Sequence, residues 1–465
     1  MEEILKYVDA HQEAYLEELF TFLRCRSIST RDEGVEECAG LLAGIMEKSG
    51  IRTAIYPTDR HPIVYGERIE DASLPTMLIY GHYDVQPPEP LAEWKSNPFE
   101  PEIRDGKIFC RGVSDDKSQL YTHIKAAEAW IKTRGRLPVN IKYLFEGEEE
   151  IGSPDLLPFV ESHKELLKCD VCFYSDSHYH ESGRPQINLG VKGLCYVEIT
   201  LTEAETDLHS MMASCIHNPA WRMIQLLSTM QDAEGNITID GFYDDVRPLS
   251  QSEIEAARKI PSDIEVLKKQ YGVKHFLKGR VSEDFYYNLI FEPTCNIAGI
   301  SAGFTGEGSK TVLPRQAMVK IDIRLVPGQT PEKMFHTLRR HLDGHGFEDA
   351  RLKHYGMVPP SRTPVDHPYV DVAVRAVQAG FGEDAILFPG IGGVAPDFVF
   401  TGHLGVPSIV IPYAAADQKN HAPNESMVLD GFFKGIRTSA ALPYFLAKKE
   451  EGNERKPARD KGPEY

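Results

Sequence analysis

Positive charge is in short supply. Over 465 residues, 51 Lys and Arg stand against 69 Asp and Glu, for a net charge of −18. That deficit argues against nucleic acid or an anionic membrane as the main partner, and it tolerates a cationic ligand such as a metal ion. No run of 18 apolar residues occurs, so no membrane span is expected. The opening Met1-Glu2-Glu3 is acidic and lacks the basic and apolar stretches of a secretory signal, which points to the cytoplasm. Cysteine is sparse too. Its eight copies are scattered and read as reduced, mostly buried thiols. Only Cys169 and Cys172 have a metal-like or redox-like spacing. With no second pair and an apolar run behind them, they read as strand thiols. What is present is ordinary globular composition, 42% apolar and 26% charged, in a chain long enough to bury its core without disulfides.

Two patterns divide the chain. Short apolar runs at Thr76–Tyr80, Val139–Phe145 and Leu166–Tyr174 end in polar residues, Val406–Ile411 is a β-branched run after Gly405, and these strands alternate with helical spacing, such as that of residues 2–24. This predicts an α/β catalytic domain with a central, mostly parallel sheet flanked by helices, its chemistry at the carboxyl ends of strands. Between these parts, Cys195–Leu201 and Ala317–Leu325 alternate apolar and polar residues, as in a sheet with one wet face. Amphipathic helices follow Asn218-Pro219, with Trp221, Ile224 and Leu227 expected buried, and Thr330-Pro331, with Met334, Leu338 and Leu342 expected buried and Gly344 as the stop. An inserted α/β sandwich is therefore placed at 192–361. The larger domain takes 1–191 and 362–447, and 448–465 is a polar tail.

Five polar segments follow strands: Gly81-His82-Tyr83-Asp84, Arg111 to Lys117, Glu146 to Glu150, Ser175-Asp176-Ser177 and Asn420 to Glu425. Singly, each has a plain reading, such as a helix cap at Ser114 or an exposed helix start in the glutamate run. Together they offer two histidines and several carboxylates at strand ends. That donor set suits a pair of borderline divalent cations, zinc first, with manganese or cobalt as alternatives. Such a pair needs a shared carboxylate, and a spare carboxylate beside it can take a proton from water.

The motifs GHYDVQPP (81–88), RGVSDDK (111–117), EGEEEIGS (146–153), DLHS (207–210), TGEGSKTVLP (305–314), RLVPGQ (324–329) and NHAPNE (420–425) carry a resemblance. From about residue 10 to 447 the chain resembles the di-zinc metallopeptidase family of aminoacylase-1, carnosinase and carboxypeptidase G, in its dipeptidase-like branch. The resemblance implies one metal held by His82, Asp115 and Asp176, and a second by Asp115, Glu150 and His421. It implies Glu149 as general base, with Asp84 buttressing His82, and a cis Asp115–Asp116 peptide. The inserted domain becomes a lid and homodimerisation module. His209 then stabilises the oxyanion across the dimer, Arg324 holds the substrate carboxylate, and Asn218 and Gly393 lie near the substrate. Departures fall outside the ligands: Met211-Met212-Ala213-Ser214 follows the lid histidine, and Gly393-Val394-Ala395-Pro396 lacks the usual hydroxyl.

The function expected is hydrolysis of the amide bond of dipeptides or small peptides with a free C-terminal carboxylate. The alternative is an N-acyl-amino-acid deacylase with the same chemistry. Two other classes fare worse. Gly390-Ile391-Gly392-Gly393-Val394-Ala395 fits a dinucleotide-binding fingerprint, but Pro396, Gly402 and Gly405 deny it the helix it should open. A catalytically dead scaffold would have lost the base or a ligand, and here all are present.

Overall fold

The computed structural model describes residues 1–277 and 282–454. They form two compact units. The first comprises Met1–Leu189, Thr363–Phe388 and the chain from Val399 on; the second comprises Gly190–Arg362 and Pro389–Phe398.

The first unit is built on an eight-stranded sheet in the order Arg52–Tyr56, Ile63–Arg68, Asn140–Glu146, Thr76–His82, Val171–Tyr174, Ser408–Val410, Gln186–Asn188, Ile386–Phe388. Its middle is parallel: Thr76–His82 runs alongside both Asn140–Glu146 and Val171–Tyr174, and Ser408–Val410 continues that direction. Every residue of Asn140–Glu146 is buried, as expected of a strand covered on both faces. The cover includes the helices Val35–Lys48, Ser118–Arg134, Pro368–Phe381 and Leu429–Glu454, whose apolar residues share one core with the strands. The parallel register aligns His82 with Glu146, so the loops that follow the two strands leave the sheet side by side. The stretch 2–24 forms two helices, Glu2–Ala10 and Gln12–Leu23, parted at His11. The last helix runs on through Lys448 to Glu454, beyond the expected start of a tail, and 455–465 lie outside the described residues.

The second unit is a four-stranded antiparallel sheet in the order Thr294–Ala302, Gln316–Leu325, Gly193–Thr202, Arg351–Val358. Val319, Ile321, Ile323 and Leu325 are wholly buried, and they pack with apolar residues of the helices Pro219–Met230 and Pro331–Gly344. Met334, Leu338 and Leu342 are buried as the pattern indicates.

Two expectations need correction. In the helix Pro219–Met230 the buried face is Met223, Leu226 and Met230, while Trp221 is 65% exposed, Ile224 is 51% exposed and Leu227 is only partly buried. Both faces carry large apolar residues, and the sheet takes the other one. Residues 389–398, read as part of the larger domain, belong to the second unit. They are tied there by main-chain bonds from Ile391 to Gly190 (3.0 Å) and from Lys192 to Gly393 (3.0 Å), and by the Ser361 hydroxyl on Asp397. The glycine-rich 390–395 stretch forms no helix. Among the described residues no helix is long and apolar enough to cross a membrane.

Candidate metal centre

The centre is assembled from strand ends of the first unit. His82 closes its strand and is fully buried. Its Nε2 lies 3.0 Å from Asp115 Oδ1 and 4.0 Å from Asp176 Oδ2. On the other side of the ring, Nδ1 faces Asp84, 3.3 Å from Oδ1. Asp84 also accepts the main-chain N–H groups of Glu149 (3.2 Å) and Glu150 (3.1 Å). One buried carboxylate thus orients the imidazole and pins the turn that carries the glutamates, as outer partners of ligating histidines do.

Asp115 sits in a break between helical segments, at φ −130° and ψ 87°, and the peptide joining it to Asp116 is cis. Its two oxygens point to different histidines, Oδ1 to His82 and Oδ2 to His421 Nε2 at 3.0 Å. His421, held at φ +59°, also reaches Glu150 Oε2 at 3.1 Å. The result is two ligand groups, His82–Asp115–Asp176 and Asp115–Glu150–His421, with Asp115 common to both and the donor atoms of each within 4.8 Å of one another.

Electrostatics matches this geometry. Glu149 is held well above the usual carboxylate range by burial, reinforced by the charges of Asp176, Glu150 and Asp115. Burial and the charge of Asp115 push Asp176 up to about 6, and the same two causes raise Glu150. Burial works against ionisation of Asp115 as well, but hydrogen bonds from His421 and His82 hold it well below the usual range. His421 is pushed up to about 10 by hydrogen bonds to Asp115 and Glu150. Burial disfavours a charged His82, and its bonds to Asp115 and Asp84 outweigh that and raise it. Carboxylates outnumber imidazoles here, so in ionised form the residues would carry an excess of buried negative charge, which in the absence of cations is offset by the raised affinity of Glu149, Asp176 and both histidines for protons. Two divalent cations would neutralise it, and mixed nitrogen and oxygen donors are what zinc takes. The residues present fit the pair.

Several contributors lie inside the motifs but carry no metal-ligand signature. Glu425 is completely buried and accepts from Arg111 Nη1 (2.8 Å), Gly112 N (2.8 Å), Ser114 N (2.8 Å), Ser114 Oγ (2.9 Å) and Asp115 N (3.1 Å). It locks the loop of Asp115 to the loop of His421. Gln86 donates from its main chain (3.2 Å) and its amide (2.8 Å) to the two oxygens of Glu150. Gly81 is required by space: a Cβ there would lie 2.9 Å from Leu120 Cβ and 3.0 Å from Asp116 Oδ2.

The other expected site residues belong to the second unit and are not among the clustered ligands. His209 is exposed and accepts Met211 N–H at its Nδ1 (3.1 Å). Arg324 projects from the polar face of its strand and pairs with Asp322 through Nε (2.9 Å) and Nη2 (3.1 Å). It lines a cavity of about 500 Å³ with Tyr243, Glu292 and Asn296. Asn218 caps the helix Pro219–Met230 by accepting Ala220 N–H (2.8 Å). Gly393 uses its carbonyl to hold Lys192 N–H.

Comparison with known proteins agrees with this chemistry. Over 480 residues the chain is 26% identical to a Beta-Ala-His dipeptidase of Rattus norvegicus, covering 98% of this chain and 97% of that one. It is 29% identical over 400 residues to the Cys-Gly metallodipeptidase dug1 of Schizosaccharomyces pombe, covering 83% of each. Among solved structures, an M20 family metallo-carboxypeptidase, Sso-CP2 from Sulfolobus solfataricus, superposes with a TM-score of 0.87 at 38% identity, covering 93% of this chain and 99% of that one. The model of Peptidase family M20/M25/M40 matches residues 78–444, so the chain belongs to that family and is a metallopeptidase.

Proposed function

We propose that this metallopeptidase cleaves dipeptides and small peptides that carry a free C-terminal carboxylate, and that it does so with two zinc ions. The observation that carries the reading is the division of Asp115, with Oδ1 toward His82 and Oδ2 toward His421, which lets one carboxylate serve two cations. Held by His82, Asp115, Asp176, Glu150 and His421, the cations would supply Lewis acidity to a carbonyl and lower the pKa of water. Glu149 takes the proton from the attacking water and delivers it to the leaving amine. Its raised affinity for a proton suits both halves of that task. Asp84 keeps the His82 ring and the Glu149 turn in register during the transfer.

Arg324 receives the substrate carboxylate and His209 the oxyanion in the partner's site. These assignments rest on the motifs RLVPGQ and DLHS. Asn218 and Gly393 position the substrate through their neighbours, on the same ground. The second unit serves as lid and homodimerisation module. Thr294–Ala302 is an edge strand bearing exposed Ile297 (49%) and Ile300 (57%), and Trp221 and Ile224 add further uncovered apolar surface. An open apolar edge of this kind favours pairing with a second copy. None of the eight cysteines, all among the described residues, is in a disulfide, which supports a cytoplasmic location.

The named relatives act on dipeptides or at a peptide carboxyl terminus, which favours peptides over N-acyl amino acids. A turnover screen of zinc-loaded protein tests this with free dipeptides, their C-terminal amides, and N-acyl amino acids. Free dipeptides should turn over at least about a hundredfold faster than their amides, because amidation removes the anionic partner of Arg324 and its charge-assisted hydrogen bonds, worth a few kcal/mol at tenfold per 1.4. Preference for N-acyl amino acids, or indifference to amidation, would overturn the reading.

A further inference from the structure

We propose that Asp240, His341 and His345 form a third cation site, in the second unit, for a transition-metal ion of the zinc, nickel or copper class. The site lies outside the catalytic ligands. His341 stands in the last turn of the helix Pro331–Gly344 and His345 just beyond it, four residues on, so both rings fall on one side of the helix end. Asp240 comes from the segment that follows the helix Pro219–Met230. One donor atom from each of the three lies within 4.8 Å of the others. The two rings are 4.1 Å apart, centroid to centroid.

The surrounding hydrogen bonds set the protons for ligation. Thr229 Oγ1 donates to the Leu226 carbonyl at 2.7 Å, so toward His341 Nε2, 2.9 Å away, it can only accept. Nε2 therefore carries the hydrogen, and Nδ1 presents its lone pair toward Asp240. The Asp240 main-chain N–H meets Nδ1 at a long 3.3 Å, and the carboxylate is 3.8 Å from the same atom. An ion at Nδ1 would replace that weak contact with a bond to nitrogen and draw in the exposed carboxylate. His345 points its Nδ1 at the His341 carbonyl (2.8 Å), which leaves Nε2 as its free lone pair on an exposed ring that can turn toward the ion. The fixed tautomer of the buried ring is the feature that an incidental surface pair of histidines lacks. Imidazole with one carboxylate selects zinc, nickel or copper over magnesium or calcium. Such an ion would fasten the helix end to the Asp240 segment.

The test uses the full-length protein with its catalytic sites filled with zinc, desalted and equilibrated with micromolar Zn2+. Bound zinc is counted by elemental mass spectrometry in the wild type, His345→Gln and Asp240→Asn. Both substitutions are at exposed positions, so the fold is retained. The wild type should hold one equivalent more than His345→Gln. Its thermal midpoint should rise with added zinc more than that of either variant, because the ion binds only the folded form. Equal zinc content in wild type and His345→Gln, or an extra equivalent that survives both substitutions, would overturn the proposal. The comparison is a difference between variants, so the catalytic load cancels.

Discussion

In the first unit, His82 and Asp84 are wholly buried, and Glu425 accepts five hydrogen bonds from the loop of Asp115. In the second, His209 is exposed, Arg324 is spent on its neighbour Asp322, and Trp221 and Ile300 face outward. The first region is set before any substrate arrives, since its geometry is fixed by main-chain donors and buried carboxylates that cannot move without stranding charge. The second carries side chains that are open to solvent or paired only with a neighbour on the same strand. On the proposed function, ionised carboxylates crowded in the first region call for cations, and the open apolar surface of the second for a second copy of the chain.

The sharpest way to break the comparison is to remove the cations. Chelation should abolish activity, and zinc, manganese or cobalt should restore it. Full turnover in protein shown to be metal-free would remove the basis of the first region. Next in size is Glu149→Gln, which should lower kcat roughly 10²–10⁴-fold with both metals retained, because an amide cannot accept the proton. Glu150→Gln should instead lower metal content. Reversed metal contents would shift the assignment by one residue along the glutamate run.

The second region is probed by mixing inactive His209→Ala with inactive Glu149→Gln. Subunit exchange should restore a measurable fraction of activity, since each mixed dimer joins an intact base to an intact histidine. No recovery after verified exchange would place His209 outside the partner's chemistry. A smaller effect is expected of Glu425→Gln, which touches no substrate. It should weaken metal affinity by about 10–100-fold, as loss of an outer hydrogen-bond partner does. Chelator competition measures that change, and turnover at saturating zinc should be largely preserved. A variant with unchanged affinity would show that the two loops hold each other without it.

The smallest effect concerns pH in the metal-free protein. Asp176 is pushed up to about 6 and His421 to about 10, both above their unfolded values of roughly 4 and 6.5. The folded form therefore binds more protons than the unfolded form. The stability from Asp176 is fully present below about pH 4 and lost by about 6, and that from His421 is lost between about 6.5 and 10. Asp115, held low, contributes in the opposite sense and is lost only in acid. The thermal midpoint of metal-free protein should thus fall from about pH 6 to 10 relative to zinc-loaded protein, where cations take the place of those protons. Parallel midpoints across that range would show that the cluster does not govern the pH response.

The strand-end clusters, the alternating strands of the second unit and the buried face of the helix Pro331–Gly344 were legible in the sequence. Periodicity and polarity are local properties, and burial on one face leaves a regular trace. Motif resemblance likewise singled out His82, Asp115, Glu150, Asp176 and His421, because the chemistry admits few residue types at those positions. Other features depend on which surfaces meet in space. The helix Pro219–Met230 has apolar residues on two sides, and only contact with the sheet selects Met223 and Leu226 over Trp221 and Ile224. Residues 389–398 join the second unit through main-chain bonds to residues about 200 positions earlier, a pairing that no local pattern encodes. Glu425 reads as one more acid in a polar run, until the fold buries it against Arg111 and the amides of the Asp115 loop. The sequence by itself determined which groups can do the chemistry. Tertiary structure decided which of their neighbours hold them in place, because a buried carboxylate is tolerable only where distant donors converge on it.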